Sequence, residues 1–211
     1  MAGRFITFEG LDGSGKSTHL ARAGAWLEAR GIATCLTHEP GGTELGEVIR
    51  SLFLDHRWQR MDARVEALLV FASRRQHLAE VIEPALAAQR VVLCDRFTDS
   101  TRAYQGHGRG LSLALIEQID AAATGGRQPD QTLFFDLPAD AARRRGHSPR
   151  RVADHAVDRL DAEDLAFYQR VRCGYQAIAE AAPERVRVLD STGSKEATWQ
   201  QVEAILAQLV G

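Results

Sequence analysis

A short segment rich in glycine, with one lysine and a serine after it, carries the clearest chemical signal in the chain. Residues 10–17 read Gly-Leu-Asp-Gly-Ser-Gly-Lys-Ser and fit the pattern G-x-x-x-x-G-K-[ST] between a predicted strand and a predicted helix. Glycines permit positive φ, so backbone N–H groups can face phosphate oxygens at a helix start. Lys16 can reach the β- and γ-phosphates of a nucleoside triphosphate, and the Ser17 hydroxyl can bind Mg²⁺. The predicted triphosphate site comprises Gly10, Leu11, Asp12, Gly13, Ser14, Gly15, Lys16, Ser17 and Thr18.

An acid and an arginine stand side by side further along the chain. Asp95 and Arg96 follow an apolar run at 91–94, which is typical of a strand covered on both faces. The Asp95 carboxylate can hold Mg²⁺ directly or through water, and the Arg96 guanidinium can clamp a second phosphate. A structural salt bridge is the alternative interpretation. On the first interpretation, Ser17 and Asp95 form the metal site.

Two more segments offer groups that could recognise a nucleotide. Residues 37–43 read Thr-His-Glu-Pro-Gly-Gly-Thr and follow the second strand-like run, although a tight turn alone would explain the Pro-Gly-Gly. Aromatic, hydroxyl, amide and guanidinium groups elsewhere could stack on a base and bind its polar edge. These candidates, which could equally be core or surface residues, are Phe71, Ser73, Arg74, Tyr104 and Gln105.

Short β-branched or aromatic runs alternate with longer helical patterns, which predicts the elements that position these residues. The predicted strands are 5–9, 32–37, 91–94, 132–136 and 186–190. The predicted helices are 17–29, 45–54, 63–82, 112–123, 161–181 and 195–210. This alternation is typical of an α/β fold with a parallel sheet, whose ligands bind beyond the carboxyl ends of the strands.

The length, composition and net charge of the chain exclude several classes of protein. The 211 residues suit one domain, and no apolar run approaches the length of a membrane span. The net charge of −2 argues against extensive nucleic-acid binding, although a local basic patch is possible. The chain has no asparagine, so it lacks the Asn-Lys-x-Asp motif by which switch GTPases read guanine. Its three cysteines suggest neither a disulfide framework nor a zinc site, and with no secretory signal visible we expect a cytoplasmic protein.

The order of the motifs along the chain resembles that of bacterial thymidylate kinases. The resemblance rests on the phosphate loop, Glu39-Pro40-Gly41-Gly42-Thr43, Asp95-Arg96-Phe97, Ala103-Tyr104-Gln105-Gly106 with Arg109-Gly110, and Asp158-Arg159-Leu160-Asp161. It implies the three-layer fold of P-loop nucleoside monophosphate kinases, with a five-stranded parallel sheet flanked by helices and a short basic lid at about 143–159. It also implies transfer of the γ-phosphoryl of MgATP to dTMP, giving dTDP and ADP, by a homodimer. From the apolar runs and the net charge we expect the protein to bind neither membrane nor nucleic acid.

The resemblance assigns roles at the phosphate end of the acceptor. Arg96 and Arg50 would hold the dTMP phosphate, and Glu39 would help to position that phosphate and its metal. Asp12, inside the phosphate loop, would reach the 3′-hydroxyl of the acceptor. The family commonly has arginine where this chain has His38, which removes one permanent charge near the phosphates.

It also assigns roles at the base. Phe71 would lie against the thymine ring, and three polar residues, Ser73, Arg74 and Gln105, would bind its polar edge. Tyr104 would crowd the 2′ position of the sugar and so disfavour ribonucleotides. The family's stacking phenylalanine often lies four residues before the helix arginine, where this chain has Val70, and a shift of one residue turns a helical side chain by about 100°.

Phosphoryl transfer gathers negative charge, so positive groups near the transferring phosphoryl are the main catalytic requirement. Some family members have an arginine in the phosphate loop, where this chain has Gly13. We therefore expect Arg150 or Arg151 to close over the phosphates, with Arg144 nearer the adenine. A solvated basic loop or a weak nucleic-acid patch is the alternative interpretation of residues 143–151.

Two other functions remain open at this point. The first is a kinase for a different nucleoside monophosphate, which the choice of acceptor would reveal. The second is an ATP-binding module that turns over no acceptor and binds nucleic acid in a salt-sensitive way.

Overall fold

A single parallel sheet lies at the centre of the molecule. The computed structural model describes residues 3–146 and 159–210, and within them the sheet has five strands. The strands are β1 (Arg4–Gly10), β2 (Thr34–His38), β3 (Val91–Asp95), β4 (Gln131–Asp136) and β5 (Val186–Asp190). They lie in the order β2-β3-β1-β4-β5, and every neighbouring pair is parallel. The predicted α/β class is confirmed.

Helices cover both faces of this sheet. They are α1 (Lys16–Glu28), α2 (Glu44–Leu54), α3 (Ala63–His77), α4 (Glu83–Ala87), α5 (Thr98–Thr101), α6 (Leu113–Thr124), α7 (Ala139–Gly146), α8 (Leu165–Ala181) and α9 (Lys195–Val210). Single π-helical turns follow α3 at Leu78–Ile82 and follow α5 at Arg102–Gly108. In the described part of the chain, no helix is long and apolar enough to cross a membrane.

Alternating side chains of the central strands form the core on the two faces. Ile6 and Phe8 of β1 pack with residues of α1 and α9, including Leu20 and Trp199. Phe5, the residue before Ile6, points to the other face and packs with β3 and the turn after α3. Successive side chains of a strand point to opposite faces, so a nearly continuous apolar run is what a sheet covered on both sides requires.

The main differences from the predicted elements lie in short helices. The predicted helix 63–82 ends as an α-helix at His77 and continues as the π-helical turn, and α4, α5 and α7 were not predicted. These helices have four to eight residues, too few for a hydrophobic period to show. The first residues of the predicted lid, 143–146, form the end of α7.

Candidate active site

The loop between β1 and α1 exposes backbone donors in a fixed arrangement. Gly10, Gly13 and Gly15 have φ of 142°, 86° and 94°, and α1 begins at Lys16 directly after the last of them. A helix N-terminus carries free N–H groups and partial positive charge, which attract phosphate. Lys16 is 5% exposed, and its Nζ donates to Asp12 Oδ1 at 3.0 Å, so the ammonium group is held inside the loop.

The two predicted metal residues lie in contact beside this loop. Ser17 Oγ donates to Asp95 Oδ2 at 2.5 Å. Asp95 Oδ1 is buried, lies 3.8 Å from Lys16 Nζ and accepts no hydrogen bond from the described residues. A hydroxyl and a carboxylate are oxygen donors of the kind that Mg²⁺ prefers. The pair therefore fits a magnesium ion, which would offset part of the negative charge of a bound triphosphate.

Asp12 joins the phosphate loop to the arginine that follows β3. Its Oδ1 accepts from Lys16 Nζ and from Arg96 Nη2, each at 3.0 Å. Arg96 Nη2 also donates to the Tyr104 hydroxyl at 3.2 Å, and the guanidinium lies 4.9 Å from the centre of the Tyr104 ring. Lys16 and Arg96, predicted to bind different phosphates, thus donate to the same carboxylate oxygen.

Glu39 lies in a buried cluster behind this site. The residue is 2% exposed, its Oε2 accepts from Arg74 Nε at 2.6 Å, and its Oε1 lies 2.9 Å from His77 Nδ1. Arg74 Nη1 donates to Thr101 Oγ1 at 3.1 Å. Both oxygens of Glu39 are therefore bonded to protein groups, and the carboxylate orients Arg74. The predicted contact of Glu39 with phosphate and metal stays a prediction.

The loop after Glu39 is held by side chains of α2 and α3. Arg50 Nη1 donates to the Pro40 carbonyl at 2.8 Å, and Gly41 N–H donates to Ser73 Oγ at 3.0 Å. His38, where the family commonly has arginine, lies with Nε2 2.9 Å from Glu47 Oε1. Ser73 is fully buried, so in this structure its hydroxyl supports the loop.

The predicted base-binding residues lie in contact with protein groups on their buried sides. Phe71 is 2% exposed, and the Arg74 guanidinium lies 4.8 Å from the centre of its ring. Val70 is buried as well. Gln105 Nε2 donates to Glu66 Oε2 at 2.9 Å, which fixes the orientation of the amide. The predicted contacts of Phe71, Ser73, Arg74 and Gln105 with a base are not tested by this geometry and stay predictions.

Helix α7 packs directly on the phosphate loop. A Cβ added at Gly13 would lie 2.4 Å from the Ala142 carbonyl oxygen and 2.9 Å from Gly146 N, so a larger residue does not fit there. Beside this contact a cleft of about 410 Å³ is lined by Leu137, Pro138, Asp140, Ala141, Arg144, Arg145 and Thr192. Arg144 is exposed and donates to Asp140 at 2.7 Å, while Arg145 Nη1 donates to the Ser191 carbonyl at 2.9 Å.

Comparisons with known proteins agree on one family. A sequence model described as thymidylate kinase matches residues 8–202. The chain belongs to the thymidylate kinase family. It is 46% identical to a thymidylate kinase of Solidesulfovibrio magneticus, over 98% of this chain and 100% of the relative. It is 48% identical to a thymidylate kinase of Cupriavidus pinatubonensis, over 99% of this chain and 100% of the relative.

A solved structure supports the same fold assignment. The crystal structure of thymidylate kinase from Ehrlichia chaffeensis matches with a TM-score of 0.77 and 34% identity. The match covers 98% of this chain and 100% of the other. The fold that the resemblance implied, that of P-loop nucleoside monophosphate kinases, is confirmed.

Two predicted catalytic residues lie outside the described part of the chain, and three buried residues near the site were not predicted from the sequence. Arg150 and Arg151 lie outside the described residues, as do residues 147–158 as a whole. Three buried residues of the site had not been singled out, namely Glu9, Ser100 and Tyr175, and each lies within hydrogen-bond distance of another. The one signal in the sequence is Glu9, a charged residue inside an apolar strand, because a buried charge requires partners.

Arg159, in the last of the motifs that carry the resemblance, is a buried residue that binds α2 and α3. It is 2% exposed, and its Nη1 donates to Glu66 Oε1 while its Nε donates to the Phe53 carbonyl at 3.1 Å. Glu66 is fully buried and also pairs with Arg109 at 3.1 Å. This cluster fixes residue 159 against α3 and next to Gln105.

Proposed function

We propose that the protein catalyses transfer of the γ-phosphoryl group of ATP to dTMP, giving dTDP and ADP. The observation that carries this proposal is the meeting of Lys16 and Arg96 at Asp12 Oδ1. Two cations suited to binding phosphates thus lie close together, within hydrogen-bond distance of one carboxylate oxygen. Phosphoryl transfer between two nucleotides requires the two phosphates to meet in this way. Membership of the thymidylate kinase family supports dTMP as the acceptor.

Catalysis by this arrangement rests on position and charge. The backbone N–H groups of residues 10–17 and the Lys16 ammonium would hold the β- and γ-phosphates, and Arg96 with Arg50 would hold the acceptor phosphate. An ionised phosphate oxygen is already a nucleophile, so in-line attack needs no strong general base. Each cation offsets the repulsion between two anionic substrates as they approach.

We propose that Mg²⁺ is bound at Ser17 and Asp95. The ion would neutralise part of the triphosphate charge when bound. Two observations support this assignment. Ser17 Oγ donates to Asp95 and keeps its lone pairs for a cation, and Asp95 Oδ1 accepts no hydrogen bond from the described residues. Substituting Asp95→Asn is expected to raise the Mg²⁺ concentration needed for half-maximal rate by about tenfold or more.

We expect Arg150 or Arg151 to supply the charge that Gly13 cannot, and Arg144, at the cleft beside α7, to lie near the adenine. The test is Arg150→Ala and Arg151→Ala, each assayed for kcat. A single transition-state arginine is worth about 10³-fold or more in phosphoryl transfer, so at least one variant should lose most of its activity. If each variant stays within about twofold of the parent protein, the assignment is wrong.

The acceptor is tested directly by coupled ADP release with dTMP, dUMP, CMP, UMP, AMP and GMP. We expect clear preference for dTMP, and preference for any other acceptor would refute the assignment. ATP binding without phosphorylated product would instead indicate a binding module. We further propose a homodimer and a cytoplasmic location; all three cysteines lie among the described residues and are unpaired, which suits a reducing compartment.

A further inference from the structure

Glu9 is a buried carboxylate that accepts three hydrogen bonds at the end of β1. It is fully buried. Its Oε1 accepts from Phe97 N–H at 2.7 Å, and its Oε2 accepts from Ser100 Oγ at 2.6 Å and from Tyr175 OH at 3.0 Å. Glu9 is not one of the groups that would bind a substrate in the proposed reaction. Burying a charged carboxylate costs free energy, and these three hydrogen bonds offset part of that cost.

The same two hydroxyls accept hydrogen bonds from Arg96. Arg96 Nη1 donates to Ser100 Oγ at 3.0 Å and to Tyr175 OH at 3.1 Å. Each hydroxyl has one proton and two lone pairs. When both protons point to Glu9, both hydroxyls present lone pairs to the guanidinium. The hydrogen bonds then run in one direction, from Arg96 through Ser100 and Tyr175 to Glu9.

Glu9 also holds the backbone on the far side of Arg96. Arg96 has φ of +74°, in the left-handed region that residues other than glycine seldom adopt. Its N–H donates to the Phe8 carbonyl at 3.0 Å, and the next N–H, that of Phe97, donates to Glu9. The backbone at Arg96 is therefore fixed by the last residues of β1. This leaves Nη2 of Arg96 directed at Asp12 and Tyr104.

We propose that Glu9 is a positioning residue for the acceptor phosphate, acting through Arg96 by way of Ser100, Tyr175 and the Phe97 N–H. This inference rests on the proposed function, in which Arg96 binds the dTMP phosphate. Glu9 itself touches no substrate. Its ionised form sets the proton order of the two hydroxyls and thereby the direction in which the guanidinium points.

The charge around Glu9 makes this positioning depend on pH. Burial, with the nearby Asp99 carboxylate, raises the pKa of Glu9 to about 7, while Arg96 and the bonds from Ser100 and Phe97 act in the opposite direction. The other titratable groups that face it are Tyr104, Tyr175 and Cys94, whose pKa values are all raised by burial and which therefore stay neutral in this range. A protonated Glu9 must donate one hydrogen bond, which reverses the proton of one hydroxyl.

The test compares Glu9→Gln with the parent enzyme at several pH values between 6 and 9. We expect kcat/KM for dTMP to fall by roughly tenfold at pH 8, the usual size of losing a hydrogen-bonded charge, with KM for ATP within about twofold. The ratio of parent to variant should shrink as the pH falls below 7, because Glu9 is then protonated in the parent too. The titration of the dTMP phosphate affects both proteins and cancels in the ratio.

Two variants separate positioning from general damage to the fold. Asp120→Asn removes another buried carboxylate, on α6, and is expected to leave kcat/KM for dTMP and its pH dependence unchanged. In an Arg96→Ala background Glu9→Gln is expected to have no further effect, since a residue that acts through Arg96 has nothing left to position. Equal losses with and without Arg96, or a pH-independent ratio, would overturn the proposal.

A second route does not depend on the acceptor. Crystal structures of the parent protein, of Glu9→Gln and of the double variant Ser100→Ala/Tyr175→Phe are compared. We expect the Arg96 guanidinium to leave its present position in both variants; an unmoved guanidinium in both would refute the role of Glu9. If the parent protein fails to phosphorylate dTMP, the proposed function is wrong, and these structures still decide the role of Glu9.

Discussion

At the scale of single residues, Asp12 joins the two cations that we propose bind the two substrate phosphates. One oxygen, Oδ1, accepts from Lys16 and from Arg96. An amide in place of the carboxylate keeps the size of the side chain but removes the charge that holds both cations. We expect Asp12→Asn to lower kcat by about 10²-fold, in the range found for loss of one preorganised electrostatic group. Assays of kcat and of both KM values check this.

The control for that substitution is Asp55→Asn. Asp55 is an acid whose pKa is lowered to about 2 by its bonds to Arg57, and its side-chain hydrogen bonds in the described part of the chain are with that residue. Its variant is expected to keep the parent rate. If Asp12→Asn keeps the parent rate, Asp12 has no role in the reaction, even though it accepts hydrogen bonds from both cations.

Glu9 links the stability of the protein to pH. Its pKa is raised by burial to about 7 from an ordinary value of 4.5 in the unfolded chain, so the folded state binds the proton more tightly. Stability from this group is complete below about pH 4.5 and is lost as the pH rises through about 7. Since Glu9→Gln cannot titrate, its free energy of unfolding should gain about 3 kcal/mol on the parent between pH 4.5 and 8. Denaturant unfolding at the two pH values measures this, and a pH-independent difference would contradict it.

Single residues also mark how far the sequence could predict the site. Lys16, Ser17 and Asp95 were predictable, because a fixed spacing or the end of a strand is enough to place them. Ser100 and Tyr175 were not, because their meeting with Glu9 joins α5, α8 and β1 through side chains far apart in sequence. Spacing within one element carries no information on such contacts.

At the scale of elements, the strands were predicted best. Strands buried on both faces are short apolar runs, and residues 5–9 and 132–136 lie within the observed β1 and β4. The short helices were missed because they form where tertiary contacts require them. The arginines at 143–145, predicted as part of a lid, end α7, and Arg145 ties that helix to the residues after β5.

The contact between α7 and the phosphate loop predicts the cost of filling Gly13. Its φ is +86°, and an added Cβ would meet the Ala142 carbonyl oxygen at 2.4 Å. We expect Gly13→Ala to lower the free energy of unfolding by about 2–3 kcal/mol, from backbone strain and the clash together, and to raise KM for ATP. Thermal or denaturant unfolding gives the first quantity and initial rates give the second.

Gly126→Ala provides a matched control for Gly13→Ala. Its φ is +81°, and an added Cβ would meet nothing within 4 Å. Gly126→Ala therefore carries the backbone strain of about 1 kcal/mol without the clash, and its KM for ATP should match the parent. If the two variants lose equal stability, then α7 does not constrain the loop.

At the scale of the whole molecule, one apolar surface lacks a partner within the described residues. We call the exposed apolar residues of α2 and α3 the α2–α3 surface. Its members are Leu45, Val48, Leu52, Val65, Leu68 and Ala72. They repeat at three- and four-residue spacing, so each helix presents one stripe. An apolar patch of this kind is typical of a protein–protein interface, and we take it as the contact of the proposed homodimer.

A charge in the middle of that surface tests the assembly. Val48 is 64% exposed, so Val48→Asp costs little in the single chain, but two carboxylates buried against each other or against apolar side chains across a twofold axis are strongly unfavourable. We expect light scattering after size exclusion to give about half the parent mass for this variant, under conditions where the parent is a dimer. Val188→Asp, on β5 and 54% exposed, adds the same charge away from α2 and α3 and should keep the parent mass. In a twofold interface each contact residue occurs twice, so a charge placed there lowers the stability of the dimer twice over, whereas a charge elsewhere does not. If the dimer survives Val48→Asp, or is lost equally with Val188→Asp, the α2–α3 surface is not the interface.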